Sequence, residues 1–238
     1  MLICRLKFMK KLLISILLLL APSLYAQQRT FDVTDASKYF DVKIAASNCD
    51  ADACTGKTVY SFHKKGSSKA YQVVRMADTY IDISEGAPVV NETLLYDKQS
   101  VLNVGDFNFD GMEDVAISDG QQGSYGMPSF NVYLSSRAAG KFVYNKAFSE
   151  LGHHLGMFTV DKKARTLETF DKSGCCYHIT ERYKVVNNRP VKVYVFEEDA
   201  AGTGKYGDKV VLTTKKLSGG RWKITVKVED EEKYYGDQ

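Results

Sequence analysis

Beyond residue 57 the chain is written in short runs of β-branched and aromatic residues, each closed by Gly, Ser, Asp or Asn. The runs fall at residues 58–63, 71–76, 79–83, 93–96, 115–118, 131–134 and 141–144, then at 157–160, 166–170, 177–186, 191–197, 209–216 and 222–228. Runs of this length and make-up predict strands. Several alternate in polarity. In Val191-Lys-Val-Tyr-Val-Phe and Trp222-Lys-Ile-Thr-Val-Lys-Val the odd and even positions differ, as they do in sheets with one wet face. Asn187-Asn188 and Ser218-Gly219-Gly220 lie between such runs and predict hairpin turns. One segment, residues 146–152, invites a short helix. The pattern predicts an all-β fold, a propeller-like arrangement or a meander of short antiparallel strands, because an open sheet this wide would curl or split. No exact repeat recurs at a fixed period. Residues 200–207 read as a glycine-rich loop, and 229–238 as a charged tail after a single β-rich domain over 27–228.

The first 26 residues follow a different rule. Arg5, Lys7, Lys10 and Lys11 precede the apolar run Leu12 to Leu20, and Pro22, Ser23 and Ala26 follow it. That order predicts a cleavable secretory signal with cleavage after Ala26, hence a periplasmic location. The apolar run is short for a membrane span, and no second long apolar run follows it, so no membrane anchor is expected in the mature chain. No cysteine stands just after Ala26, which argues against a lipoprotein. Of the 32 basic side chains, four lie in this segment, so 28 face 29 acidic ones in the remainder. The basic excess belongs to the signal, and charge gives no reason to expect a nucleic-acid partner.

Cysteine usage fits export. Cys4 falls within the signal, and Cys49, Cys54, Cys175 and Cys176 form an even set suited to two disulfides in an oxidising compartment. Three pairings exist on paper. Cys49–Cys54 with a vicinal Cys175–Cys176 bridge is favoured, and cross-pairing stays open at this stage.

The strongest chemical signal is Asp106-Phe-Asn108-Phe-Asp110-Gly111-Met112-Glu-Asp114. Calcium takes six to eight oxygen ligands, and a tight loop with oxygen side chains at positions 1, 3 and 5 brings three of them to one point. Gly111 allows the reversal, Met112 offers its backbone carbonyl, and Asp114 supplies the next carboxylate directly or through water. Position 12 is Ile117 rather than the bidentate Glu of an EF-hand, and a strand starts at Val115. The competing reading is a solvated acidic turn, which would leave four closely spaced oxygen-bearing side chains uncompensated. At these residues the sequence resembles the FG-GAP-type loops of β-propellers, which read Asp-x-Asp/Asn-x-Asp-Gly-x-x-Asp before a short hydrophobic strand.

Catalytic motifs are not found. There is no Gly-x-Ser-x-Gly or His-Glu-x-x-His unit, and Glu150 and Asp161 are not paired at glycosidase spacing, so the chain is not expected to be an enzyme. His153, His154 and His178 combine with Cys175 and Cys176 into a zinc site on paper, but thiols in an oxidising compartment pair with each other. The segment Asp119-Gly-Gln-Gln-Gly-Ser124-Tyr125-Gly-Met-Pro128 predicts a protruding loop in which Tyr125 is an aromatic anchor for a partner.

The signal, the Cys-x4-Cys pair, the Asp106 loop, Gly123-Ser-Tyr-Gly and Ser173-Gly-Cys-Cys-Tyr-His together resemble a family of bacterial periplasmic calcium-loop proteins. That family is similar to the immunity protein that restrains the peptidoglycan hydrolase of bacteria-killing type IV secretion systems, and in fold to periplasmic inhibitors of invertebrate-type lysozyme. The resemblance implies a calcium-stabilised inhibitor of a lysozyme-like peptidoglycan hydrolase, acting by inserting a loop with a Ser-Gly and Tyr motif into the enzyme cleft. Gly123-Ser124-Tyr125 is the nearest match, with Gly and Ser in reversed order. The alternative is a calcium-stabilised binding or adhesion module for carbohydrate or protein.

Overall fold

The computed structural model describes residues 27–92, 99–201 and 208–236. The signal read over 1–26, the strand predicted at 93–96 and most of the glycine-rich loop lie outside the described residues. The chain is all-β. A first sheet holds β1 (Gln27–Val33), β2 (Phe40–Cys49), β3 (Ala53–Lys64), β4 (Ala70–Met76), β5 (Tyr80–Ser84) and β6 (Ala87–Pro88), in the order β1-β2-β3-β5-β6 with β4 also on β3. A second holds β7 (Leu102–Gly105), β8 (Asp114–Ser118), β9 (Phe130–Ser136) and β10 (Lys141–Tyr144). A third holds β11 (Thr159–Asp161), β12 (Thr166–Ser173), β13 (Tyr177–Val186), β14 (Arg189–Asp199), β15 (Lys209–Ser218) and β16 (Arg221–Asp230). The second and third sheets keep chain order, β7 to β10 and β11 to β16. Of the two arrangements the pattern allowed, the meander is therefore the one these sheets adopt.

Strands also form where no run had been singled out. In β2 the residues Phe40, Val42, Ile44 and Ala46 are buried while Asp41, Lys43 and Ala45 are less so, the alternation of a strand with one face on a core. β1 pairs with it residue by residue from Arg29↔Ala46 to Val33↔Val42. The charged tail set off at residue 229 is not a separate piece: β16 runs on to Asp230, and a helix, α2 (Glu231–Gly236), follows. The Tyr234 and Tyr235 hydroxyls donate to Glu198 at 2.8 and 2.9 Å, which fastens α2 to β14. The expected helix is α1 (Lys146–Leu151), whose N-terminus is capped by the Asn145 side chain accepting from the Phe148 amide.

Two cores share the middle sheet. Val115 and Ile117 of β8 pack with Val42, Ile44, Phe62, Ile81 and Phe142 toward the first sheet. Ala116 points the other way, joining Phe130, Val132, Phe148, Phe158, Leu167 and Tyr183 toward α1 and the third sheet. Every residue of β8 is buried, as a strand between two layers must be. The disulfides are Cys49–Cys54, across a directly opposed pair on β2 and β3, and Cys175–Cys176. They are the bonds of an extracytoplasmic protein.

Because Ile117 is wholly buried between these layers, Ile117→Ala removes apolar contacts that its neighbours cannot replace. The expected loss is about 2–5 kcal/mol, read as a lower urea midpoint with an unchanged slope. A loss under about 1 kcal/mol would show that the two cores are not close-packed at β8.

Candidate functional site

The Asp106–Asp114 loop joins β7 to β8, and its ends are clamped by the pair Gly105↔Asp114. Alternation builds it. Phe107 turns down into the second core, 3% exposed and edge-on to Phe158 at 5.4 Å between centroids. Phe109 lies under the Arg165 guanidinium, which also donates to its carbonyl at 2.7 Å. The intervening polar residues are thereby turned to the inside of the loop.

Three of the candidate ligands are linked by hydrogen bonds within the loop. The Asp110 amide donates to both Asp106 Oδ1 at 2.9 Å and Asn108 Oδ1 at 3.1 Å, so these two oxygens meet at one point. The Gly111 amide donates to Asp106 Oδ2 at 2.9 Å, and Asp110 Oδ2 accepts from Asn108 Nδ2 at 2.9 Å. Asn108 Nδ2 also reaches Asn188 Oδ1 at 3.0 Å, tying the loop to the β13–β14 turn. The Met112 amide donates to Asp110 Oδ1 at 2.9 Å. Gly111 sits at φ +88°, in the left-handed region that glycine adopts freely.

Asp114 does not join the three. Its Oδ2 accepts from the Phe107 and Asn108 amides at 2.9 and 3.3 Å, and its Oδ1 from the Ser135 amide of β9 at 2.8 Å. It closes the loop from beneath, fully buried. Among the described residues no three carboxylate, imidazole or thiolate groups are gathered as a metal site, in keeping with the separate direction of Asp114. The linked set is two carboxylates and one carboxamide, and among the described residues no lysine or arginine forms a salt bridge with Asp106, Asp110 or Asp114. That donor chemistry, oxygen atoms with uncompensated negative charge on a clamped turn, fits a hard divalent cation.

The second candidate, Ser124 and Tyr125, lies on a single 3-10 turn, Ser124–Gly126. The Gly123 amide donates to the Met127 carbonyl at 2.9 Å and the Ser124 amide to the His154 carbonyl at 3.0 Å. A Cβ on Gly123 would stand 2.6 Å from the His154 carbonyl oxygen, so the chain can pass there as glycine alone. Tyr125 is 63% exposed at φ +58°. Its hydroxyl accepts from the Gly174 amide at 2.5 Å, and Lys172 Nζ stands 5.3 Å from its ring centre. Gly174 begins the turn between β12 and β13, closed by the Cys175–Cys176 disulfide. The far side of that turn is held by the Ala200 amide donating to the Cys176 carbonyl at 2.7 Å. The structure thus brings Ser124-Tyr125 against Ser173-Gly174, which carries the Ser-Gly order that residues 123–125 reverse. Both segments stand out in the sequence, but their contact does not; the Ser-Gly dipeptide between two strand-forming runs is the local signal for it.

The three histidines of the zinc alternative are engaged by carboxylates. His154 pairs with Asp171, His178 with Glu198 at 2.9 Å, and His153 faces Asp119 at 3.6 Å. The cysteines of the zinc alternative are consumed in their disulfide. A groove of about 560 Å³ runs beside the acidic loop, lined by Tyr39, Phe40, Lys64, Tyr71, Met112 and Phe142 among others.

Burial pushes the Asp114 carboxyl up from 3.8 to about 7, and the three amides that donate to it oppose the rise. A carboxyl whose pKa is higher folded than unfolded binds its proton more tightly in the native state. Its contribution to stability is therefore fully present below about 3.8 and is lost as pH rises to about 7. In buffer free of divalent cations, urea unfolding should show stability falling across that window by up to about 1.4 kcal/mol per pH unit, a slope that Asp114→Asn removes. An identical slope in the variant would refute the assignment.

No known family model matches the chain, and no curated protein does. In fold it is similar to a solved structure, that of a Xanthomonas type IV secretion system related protein, with a TM-score of 0.62, 24% sequence identity, and coverage of 86% of this chain and 96% of that one.

Proposed function

We propose that the chain is a periplasmic, calcium-stabilised and non-enzymatic inhibitor, an immunity protein that binds a lysozyme-like peptidoglycan hydrolase and blocks its cleft. The observation that carries this reading is the Tyr125–Gly174 hydrogen bond, which fuses two loops about fifty residues apart into one exposed Ser-Gly and Tyr surface. A pre-joined surface loses little freedom on docking, which is what a stoichiometric inhibitor needs. The likeness in fold to a type IV secretion system related protein supports the same setting. Calcium would be held by Asp106, Asn108 and Asp110, with the Met112 carbonyl completing the turn and Asp114 beneath it. Bound there, it supplies positive charge that fixes the loop. The chain's own part is to present oxygens and to keep β7 and β8 in register.

Two measurements test the two halves separately. Calcium should raise the melting temperature, and Asp110→Ala should abolish the rise; equal melting curves with calcium and with chelator would remove the metal. In a cell-wall lysis assay against a lysozyme-like hydrolase, the protein should inhibit at one-to-one stoichiometry. Tyr125→Ala should weaken that inhibition by about 30-fold or more, the effect of losing a central aromatic anchor. A variant that inhibits as well as the wild type would overturn the surface.

The groove lined by Tyr39 and Tyr71 favours the second reading, a module for carbohydrate, since aromatic side chains beside lysines suit sugar faces and their polar groups. Binding of peptidoglycan fragments that Tyr39→Ala and Tyr71→Ala abolish, with no effect on any hydrolase, would replace the first reading with this one.

A further inference from the structure

β16 is the last strand of the third sheet, paired on one side with β15 over ten residues, Arg221↔Ser218 to Asp230↔Lys209, and, among the described residues, unpaired on the other. Its side chains divide cleanly. Trp222, Ile224, Val226 and Val228 stand on one face and are 42%, 62%, 59% and 44% exposed. Arg221, Lys223, Thr225, Lys227 and Glu229 stand on the other. A long edge with an uncovered apolar row is what natural sheets avoid unless something pairs with it.

We infer that the occupant is a second copy of the same strand, running antiparallel, so that two third sheets join into one. This goes beyond the hydrolase-binding role and does not rest on it, since β14 and β15 separate β16 from the β12–β13 turn.

The register follows from the sequence. Residues directly opposite in an antiparallel pair point to the same side, so a twofold axis through Thr225 sets Trp222 opposite Val228 of the second copy and Ile224 opposite its Val226. All four apolar residues of each strand are then matched with one another. On the other face Arg221 falls opposite Glu229 of the second copy, twice per dimer. Among the described residues Arg221 has no salt-bridge partner, while Glu229 is held by Lys227 of its own strand, so the new contact extends an existing pair. Lys223 falls opposite Lys227 of the second copy, also twice per dimer, a repulsion at the wet face that the backbone ladder and the apolar pairs must outweigh. A shift by one residue would set the apolar row against the charged one, and a shift by two toward the C-terminus would set Trp222 opposite Asp230.

The test uses the purified protein and its single tryptophan, which is Trp222 itself. Sedimentation should show a concentration-dependent dimer, and Trp222 emission should move to shorter wavelength as the dimer forms. Ile224→Lys with Val226→Lys should weaken dimerisation by about 100-fold or more while leaving the melting temperature of the monomer near that of wild type, because both positions are exposed in the single chain. Thr225→Cys should cross-link to itself on mild oxidation, since opposed residues lie about 4.5–5.5 Å apart between Cα atoms, within disulfide reach. A protein that stays monomeric at all concentrations overturns the proposal, as does a double-lysine variant that dimerises like wild type. Failure of Thr225→Cys to cross-link within a dimer overturns the register. Dependence of the Trp222 shift on a different protein would assign the edge elsewhere and equally sink it.

Discussion

Asp114 is a fully buried carboxyl group with three backbone amides donating to it. A buried polar group left without partners is costly, so the chain around it has to deliver donors. Two come from Phe107 and Asn108, which obliges the loop to curl back over the start of β8. The third comes from Ser135, which fixes where β9 runs beside it. The same curl aims the side chains of Asp106, Asn108 and Asp110 at the loop's own amides. The linking of the candidate ligands thus goes together with satisfying the residue that stands apart from them. A cation in the loop would add to a geometry that Asp114 has already imposed.

From that anchor the packing spreads outward unevenly. β8 lies between both cores, and the first sheet and α1 close over it. The third sheet reaches further than its core does. Leu167 and Tyr183 enter the packed interior, whereas β16 lies largely in solvent. What ties the outer strands together is the ladder itself, aided by cross-strand pairs such as Lys192 with Glu181, Lys215 with Glu197 and Lys209 with Asp230. Partly exposed ion pairs contribute roughly 0–1 kcal/mol each, so this end of the molecule rests on backbone hydrogen bonds more than on burial. The apolar row of β16 stays exposed in the single chain.

Most of the β architecture was legible because strands with one wet face print a two-residue period, as in Trp222 to Val228, and because Asn187-Asn188 and Ser218-Gly219-Gly220 mark their turns. β2 carried the same signal in Phe40, Val42 and Ile44, but the small residues of Ala45-Ala46-Ser47 dilute it, and β1 offers just Phe31 and Val33. The charge of residues 229–238 reads as a tail because tyrosines that bind a distant glutamate cannot be seen in sequence; Glu198 is what gives residues 231–236 a place. The acidic loop was recognisable from spacing, since positions 1, 3 and 5 face inward in any turn of that kind. The divergence of Asp114 was not, because spacing does not say which amides a carboxylate will choose, and Ser135 lies on another strand.

The joining of Tyr125 to Gly174 is the feature furthest from any local signal, and backbone strain gives it its meaning. Tyr125 holds a left-handed backbone, which costs a non-glycine residue on the order of 1–3 kcal/mol and persists where the surroundings enforce it. Here the surroundings are specific. Gly123 is pressed against the His154 and Met127 carbonyls, Gly126 reverses the chain at φ +71°, and the phenol hydroxyl is met by the Gly174 amide. Each of these holds a ring that is largely in solvent and so gains little from its own burial. Under the proposed inhibitor reading, the strain keeps an exposed aromatic still for the hydrolase that it meets.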